Sequence, residues 1–189
     1  MARAAVVFFA LLMTGADLSG QSLKIKLTPQ PAAAAKADGV IGENEYQFKA
    51  IDPGTGIEVR ASADSANLYL ALKSPGTGWL AVGLGSSGMN GAVMAIAIKD
   101  AQGQWTVEQH LGKSLFRHSR VDKPNLVSKA AWQEDGKTCL EFSIPLQYAV
   151  AKTLAPGTNT PFILAYHKDK AGLSKHSKKS SGLLSLAKQ

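Results

Sequence analysis

Two short segments of this 189-residue chain gather residue types that could do chemistry. The first is Gly83-Leu84-Gly85-Ser86-Ser87-Gly88-Met89-Asn90-Gly91, a glycine- and serine-rich stretch after a strand pattern. Met89 is its large apolar side chain in mid-loop. The flanking glycines let the backbone lie close to something flat, and a thioether is a soft, polarisable group. The plainer alternative is a plug over the end of the fold. The second segment runs from Tyr166 to Lys179 and holds His167 and His176, with five lysines against one aspartate. One of these histidines could ligate a metal while the lysines meet an anion; a solvated basic hairpin tip is the alternative. A haem asks for both at once, because its iron takes imidazole or thioether ligands and its propionates attract cations.

Other chemistries find no support. The chain has no G-x-S-x-G elbow, no P-loop, no H-E-x-x-H pair and no Rossmann glycine fingerprint. Glu58 and Glu141 fall inside strand patterns, where outward-facing carboxylates are expected to be solvated, and nothing pairs them as an acid–base dyad. The single cysteine, Cys139, excludes a disulfide framework, a Cys-rich zinc site and a cysteine-ligated iron–sulfur cluster. It also excludes haem attachment through Cys-x-x-Cys-His. No hydrolase or transferase constellation emerges, so no catalytic residue is assigned and no substrate turnover is expected.

The elements that must position these segments read almost wholly as strands. Ile57–Ala63, Leu68–Lys73, Trp79–Leu84, Ala92–Lys99, Trp105–Leu111, Leu126–Trp132, Cys139–Ile144 and Phe162–His167 are short and rich in apolar or β-branched residues. A final short strand spans Gly182–Leu186. Turn signals such as Asp52-Pro53-Gly54, Asp135-Gly136 and Pro156-Gly157 bound them. Leu146–Leu154 alone has weak helical character. Met94 alternates with Ile96 and Ile98 and reads as core, as does Trp79. Trp105 or Trp132 could instead offer a stacking platform to a sugar. His110, in phase with Glu108, is expected to be exposed; His118 and Arg117 form a second basic loop that could line a pocket. Many short strands without βαβ alternation predict an all-β, two-sheet sandwich.

Residues 1–20 read as a signal peptide: Arg3, then the apolar run Ala4–Met13, then Thr14-Gly15-Ala16 as the cleavage match. Residues 21–35 read as a lead-in segment and 36–189 as the domain. The protein is therefore expected to be exported, to the periplasm or beyond the cell. A second long apolar run is absent, so no membrane span is expected after leader cleavage. The formal net charge of +7 survives loss of the leader, which carries one Arg and one Asp. With export and no aromatic-interleaved basic stripe, nucleic acid is a poor partner. Acidic proteins and anionic cofactors are better ones.

Six pieces in order resemble DOMON domains. They are Asp38-Gly39-Val40-Ile41 with Glu45-Tyr46, Leu68–Leu72 with Gly78–Gly85, Gly88-Met89-Asn90-Gly91-Ala92, Glu141–Leu146, Leu164–His167, and His176 with Gly182, Leu184 and Leu186. The resemblance covers roughly residues 36–187. It implies an immunoglobulin-like β-sandwich, like the haem b-binding cytochrome domain of cellobiose dehydrogenase. It also implies one haem b held between an axial Met and an axial His. Carried across, these are Met89 and His176, with His167 as runner-up; Lys175, Lys178 and Lys179 would pair with propionates or steer an acidic redox partner. Met/His ligation raises the reduction potential, and two protein ligands leave no open position for dioxygen, which suits electron transfer. Other members are thought to bind sugars, so a carbohydrate- or small-ligand-binding module without a redox centre is the alternative. Lys178-Lys179-Ser180-Ser181 stands where relatives often carry Arg-Gly.

Overall fold

A computed structural model describes residues 22–31, 35–150 and 152–188. The leader read at residues 1–20 lies outside the described residues, as do 21 and 32–34 of the lead-in segment. Among the described residues twelve strands form and no helix does. In chain order they are β1 Leu23–Leu27, β2 Phe48–Ile51, β3 Glu58–Ala63, β4 Asn67–Lys73, β5 Leu80–Leu84 and β6 Val93–Lys99. Then follow β7 Trp105–Gly112, β8 His118–Arg120, β9 Ser128–Glu134, β10 Lys137–Pro145, β11 Asn159–Tyr166 and β12 Lys178–Leu186.

The strands build two sheets. One has seven strands in the order β1-β12-β11-β5-β6-β7-β8, and the other has five in the order β2-β3-β4-β10-β9. Alternation along each strand sends one set of side chains into the space between the sheets. Val59, Leu70, Leu72, Leu140 and Phe142 of the five-stranded sheet meet Leu80, Val82, Ala95, Phe162 and Leu164 of the seven-stranded one in a single buried cluster. The lead-in strand belongs to this sandwich: β1 pairs in parallel with β12, and Ile25 and Leu27 are buried in the core.

Two strands lack the pattern that marked the others. β2 is a four-residue edge strand with no buried position, and β8 is three polar residues long. The weak helical signal at Leu146–Leu154 is overruled. The described residues of that stretch form no helix: Leu154 N–H donates to Leu146 O at 2.8 Å, and Leu146 and Leu154 are anchored against the core. No helix among the described residues is long and apolar enough to cross a membrane.

Candidate functional site

Met89 and His176 are reached by following the outward face of the seven-stranded sheet. The side chains of β5, β6 and β11 that point away from the main core form a second apolar cluster: Ala81, Met94, Ile96, Ile98, Ile163 and Ala165, joined by Trp79 and Ala92. Met94, Ile96 and Ile98 do share a face and are buried, but that face is turned away from the main core. Register places Ala81 between Ile96 and Ala165, and Gly83 between Met94 and Ile163. The middle of this floor is therefore small. A Cβ on Gly83 would come within 2.9 Å of Ile163 Cγ1 and of Met94 Cγ, so glycine is what lets those two side chains approach each other.

One wall of the floor is the loop after β5. It opens and closes on glycines with left-handed backbone, Gly85 at φ 82° and Gly91 at φ 75°. Met89 lies half-buried between them and packs against the second apolar cluster. The loop is docked by Gly91 N–H on Gly112 O at 3.0 Å and Gly112 N–H on Ala92 O at 2.9 Å. The approach is so close that a Cβ on Gly112 would overlap the Met89 carbonyl. Lys152, arriving from the loop before β11, donates its ammonium to the carbonyls of Gly85 and Gly91 and so ties the two ends of the Met89 loop together.

The opposite wall is the segment between β11 and β12. Its first half is strapped to the residues entering β5: Lys168 O accepts from Thr77 N–H at 2.7 Å and Lys170 O from Trp79 N–H at 2.8 Å. Trp79 is buried beneath it, and its indole N–H donates to Ser174 Oγ at 3.3 Å. His167 braces the turn from within, its Nδ1 accepting the Lys170 N–H at 2.9 Å and the Asp169 N–H at 3.2 Å. His176 is half-buried just before β12, next to Ser177, whose N–H bonds Tyr166 O at 2.8 Å. Burial, with Lys179 and Lys175 nearby, holds its imidazole below the usual histidine pKa, so it is a neutral ring with a lone pair at pH 7. Lys175, Lys178 and Lys179 are exposed, and Lys179 lies opposite Ala165 in the register beside the floor.

Met89 thus packs on one end of the apolar sheet face, and the segment that carries His176 is strapped to its other end. From the Trp79 level to the Gly83 level the floor spans about 13 Å of strand. The donor set suits a haem: a thioether in one wall, a neutral imidazole in the other, small residues between, and cations at the rim. No three His, Cys, Asp or Glu side chains among the described residues are grouped to hold a metal. A cavity of about 290 Å³ lies elsewhere, lined by residues such as Gln109, Asp122 and Lys129.

Several expectations are corrected by packing. Glu141 is not solvated but fully buried, because residues 36–46 fold over the outer face of the five-stranded sheet. Tyr46 O–H donates to it at 2.9 Å and Gly39 N–H at 3.1 Å, and desolvation still pushes its carboxyl up to about 7. His110 is buried, not exposed. It joins a chain that sequence reasoning missed: Arg120 to Glu108 at 2.8 Å, Glu108 to His110 Nε2 at 2.8 Å, and His110 Nδ1 to His118 Nδ1 at 2.8 Å. Lys152 carried no signal in the sequence either, since its role depends on two carbonyls 67 and 61 residues away.

No protein-family model and no curated protein matches the sequence. Solved structures do. The cytochrome b domain of pyranose dehydrogenase from Coprinopsis cinerea is similar at a TM-score of 0.55, with 12% identity over 71% of this chain and 79% of that one. The cytochrome domain of Myriococcum thermophilum cellobiose dehydrogenase gives a TM-score of 0.50, with 14% identity over 72% of this chain and 78% of that one. The fold is shared with these cytochrome domains, an all-β sandwich of two sheets. A family 9 carbohydrate-binding module from Caldicellulosiruptor kristjanssonii, in complex with glucose, follows at 0.49, with 9% identity over 88% of this chain and 97% of that one.

Proposed function

We propose that this chain is an exported b-type cytochrome domain that holds one haem b on the outward face of its seven-stranded sheet and serves electron transfer. What supports the reading is that Met89 packs on the small-residue apolar floor and that the segment carrying His176 is strapped to the other end of the same strands. Haem would supply a one-electron couple, and Met/His ligation sets it toward high potential. The chain's part is to exclude water with Trp79 and the apolar floor, to present a neutral imidazole from His176, and to hold Met89 in place through Lys152. His167 already spends its Nδ1 on two backbone N–H groups, which favours His176 over it as the second ligand. Lys175, Lys178 and Lys179 form an exposed basic rim suited to an acidic redox partner.

The test is the visible spectrum of the protein purified with haem supplied. A six-coordinate low-spin spectrum is expected, and Met89→Ala and His176→Ala each convert it to high spin or lose the pigment. If both variants keep the wild-type spectrum, the ligand assignment is wrong. A colourless protein that takes up no haem and instead shows saturable glycan binding would replace this reading with that of a carbohydrate-binding module.

A further inference from the structure

His110 and His118 sit on neighbouring antiparallel strands, β7 and the short edge strand β8. Their rings meet edge to face, with centroids 4.8 Å apart and planes at 68°, and their like atoms face each other: Nδ1 to Nδ1 at 2.8 Å. The far nitrogen of His110, Nε2, bonds Glu108 at 2.8 Å, and Glu108 in turn is held by Arg120 at 2.8 Å. That carboxylate fixes the tautomer of His110. With the proton on Nε2 pointing at Glu108, the Nδ1 of His110 presents a bare lone pair toward His118. A ligating histidine whose other nitrogen is anchored by a carboxylate is the arrangement that orients imidazoles at metal centres.

We propose that His110 and His118 form a binding site for one divalent transition-metal ion of the zinc or copper class, coordinated through the two Nδ1 atoms. Two protein ligands leave the remaining positions to water, so the ion is exchangeable and its selectivity follows the general preference of imidazole sites for Cu²⁺ over Zn²⁺. Binding needs little rearrangement. A tetrahedral metal at ordinary metal–nitrogen distances wants the two nitrogens about 3.3 Å apart, and His118 stands on a three-residue edge strand, half-buried, where it can yield that far. The hydrogen between the rings leaves Nδ1 of His118 and a proton is taken up at its Nε2, so neither ring changes charge. The site does not use Met89 or His176, and the proposal stands independently of the haem reading.

The experiment is a titration of the full-length protein, freed of metal, with Zn²⁺ and with Cu²⁺ separately, read by calorimetry and by ¹⁵N resonances of the histidine rings. One ion per chain is expected, with Cu²⁺ the tighter. The signal of His118 should switch from the Nδ1–H to the Nε2–H tautomer as Zn²⁺ is added. His118→Asn, a change on the exposed edge strand, should weaken binding at least tenfold, and His176→Ala should leave it within twofold. The proposal is overturned if neither ion binds at concentrations up to 100 micromolar, if the ring tautomer of His118 stays unchanged on saturation, or if His176→Ala abolishes binding while His118→Asn does not. The tautomer readout uses the wild-type chain, so it decides the matter even where a variant folds poorly.

Discussion

The two sheets of the sandwich turn very different faces outward. The five-stranded sheet presents polar side chains, among them Arg60, Ser62, Glu141 and Ser143, and the chain itself covers the middle of that face with residues 36–46. Arg60 is paired with Glu58 at 2.7 Å and donates to Gly42 O at 2.8 Å, while Glu141 takes hydrogen bonds from Tyr46 and Gly39. The seven-stranded sheet presents Ala81, Met94, Ile96, Ile163 and Ala165. Polar groups lie at the margins of that face, in the chain from Arg120 to His118 on one side and at Lys179 and Ser181 of β12 on the other. A polar outer face can be closed by the protein's own backbone and hydroxyls, because each buried group finds a partner. The apolar face offers nothing to hydrogen-bond, and Ala81, Met94, Ile96 and Ile98 are buried there by apolar packing, so a ligand on this face is recognised by apolar contact with side chains reaching in from the two loops.

The largest expected effect comes from filling that face. Ala165→Leu or Ala81→Leu places a branched side chain on the narrowest part of the floor. Haem uptake, followed by absorbance at the Soret band, should fall by a hundredfold or more while far-UV circular dichroism stays that of the wild type. Unchanged uptake in both variants would show that the group, if bound, sits elsewhere.

The polar face is broken most directly at its buried carboxylate. Glu141→Leu leaves the Tyr46 hydroxyl and the Gly39 N–H without their acceptor, a loss of about 1–3 kcal/mol in a denaturant melt. Glu141→Gln keeps a polar side chain of the same shape and sharpens the point. Because the carboxyl is raised from 4.5 to about 7, the folded state keeps a proton that the unfolded chain has already released between those values. Stability from this group is therefore full below pH 4.5 and falls as pH rises through that window. The stability gap between wild type and Glu141→Gln should shift in favour of Gln between pH 5 and pH 8, by on the order of 2–3 kcal/mol. A gap constant with pH would mean that Glu141 is already ionised at pH 5.

The smallest of these effects belongs to the loop clasp. Lys152→Met keeps the length of the side chain and removes the donor to Gly85 and Gly91, at about 0.5–1.5 kcal/mol of stability. Its more telling consequence is a severalfold faster loss of haem to apomyoglobin, with the spectrum of the remaining pigment unchanged. Loss of the low-spin spectrum in its place would make Lys152 more than a brace for the Met89 loop.

Alternation of apolar residues was enough to mark most of the strands and the sandwich, because a period of two is written in the residues themselves. It failed at β2 and β8, which are edge strands of four and three residues with no buried apolar alternation to display. Met89 and the histidines of the last loop stood out by type, one large soft side chain among glycines and imidazoles among lysines. Which face they serve could not be seen. Met94, Ile96 and Ile98 alternate just as core residues do, yet the face they line is the outward one, and periodicity cannot say which side of a sheet is inside.

Residue types and local spacing determined by themselves that this chain is all-β, that its glycine loop carries a methionine, and that its closing segment is basic and holds two histidines. Tertiary structure alone decided which distant groups meet: Glu141 with Tyr46 and Gly39, Lys152 with two loop carbonyls, His110 with His118, and the two loops on one sheet face. Those pairings rest on strand register and sheet order, which arise from hydrogen bonding between segments far apart in the chain. No local pattern encodes such bonds, so their consequences appear only once the sheets are assembled.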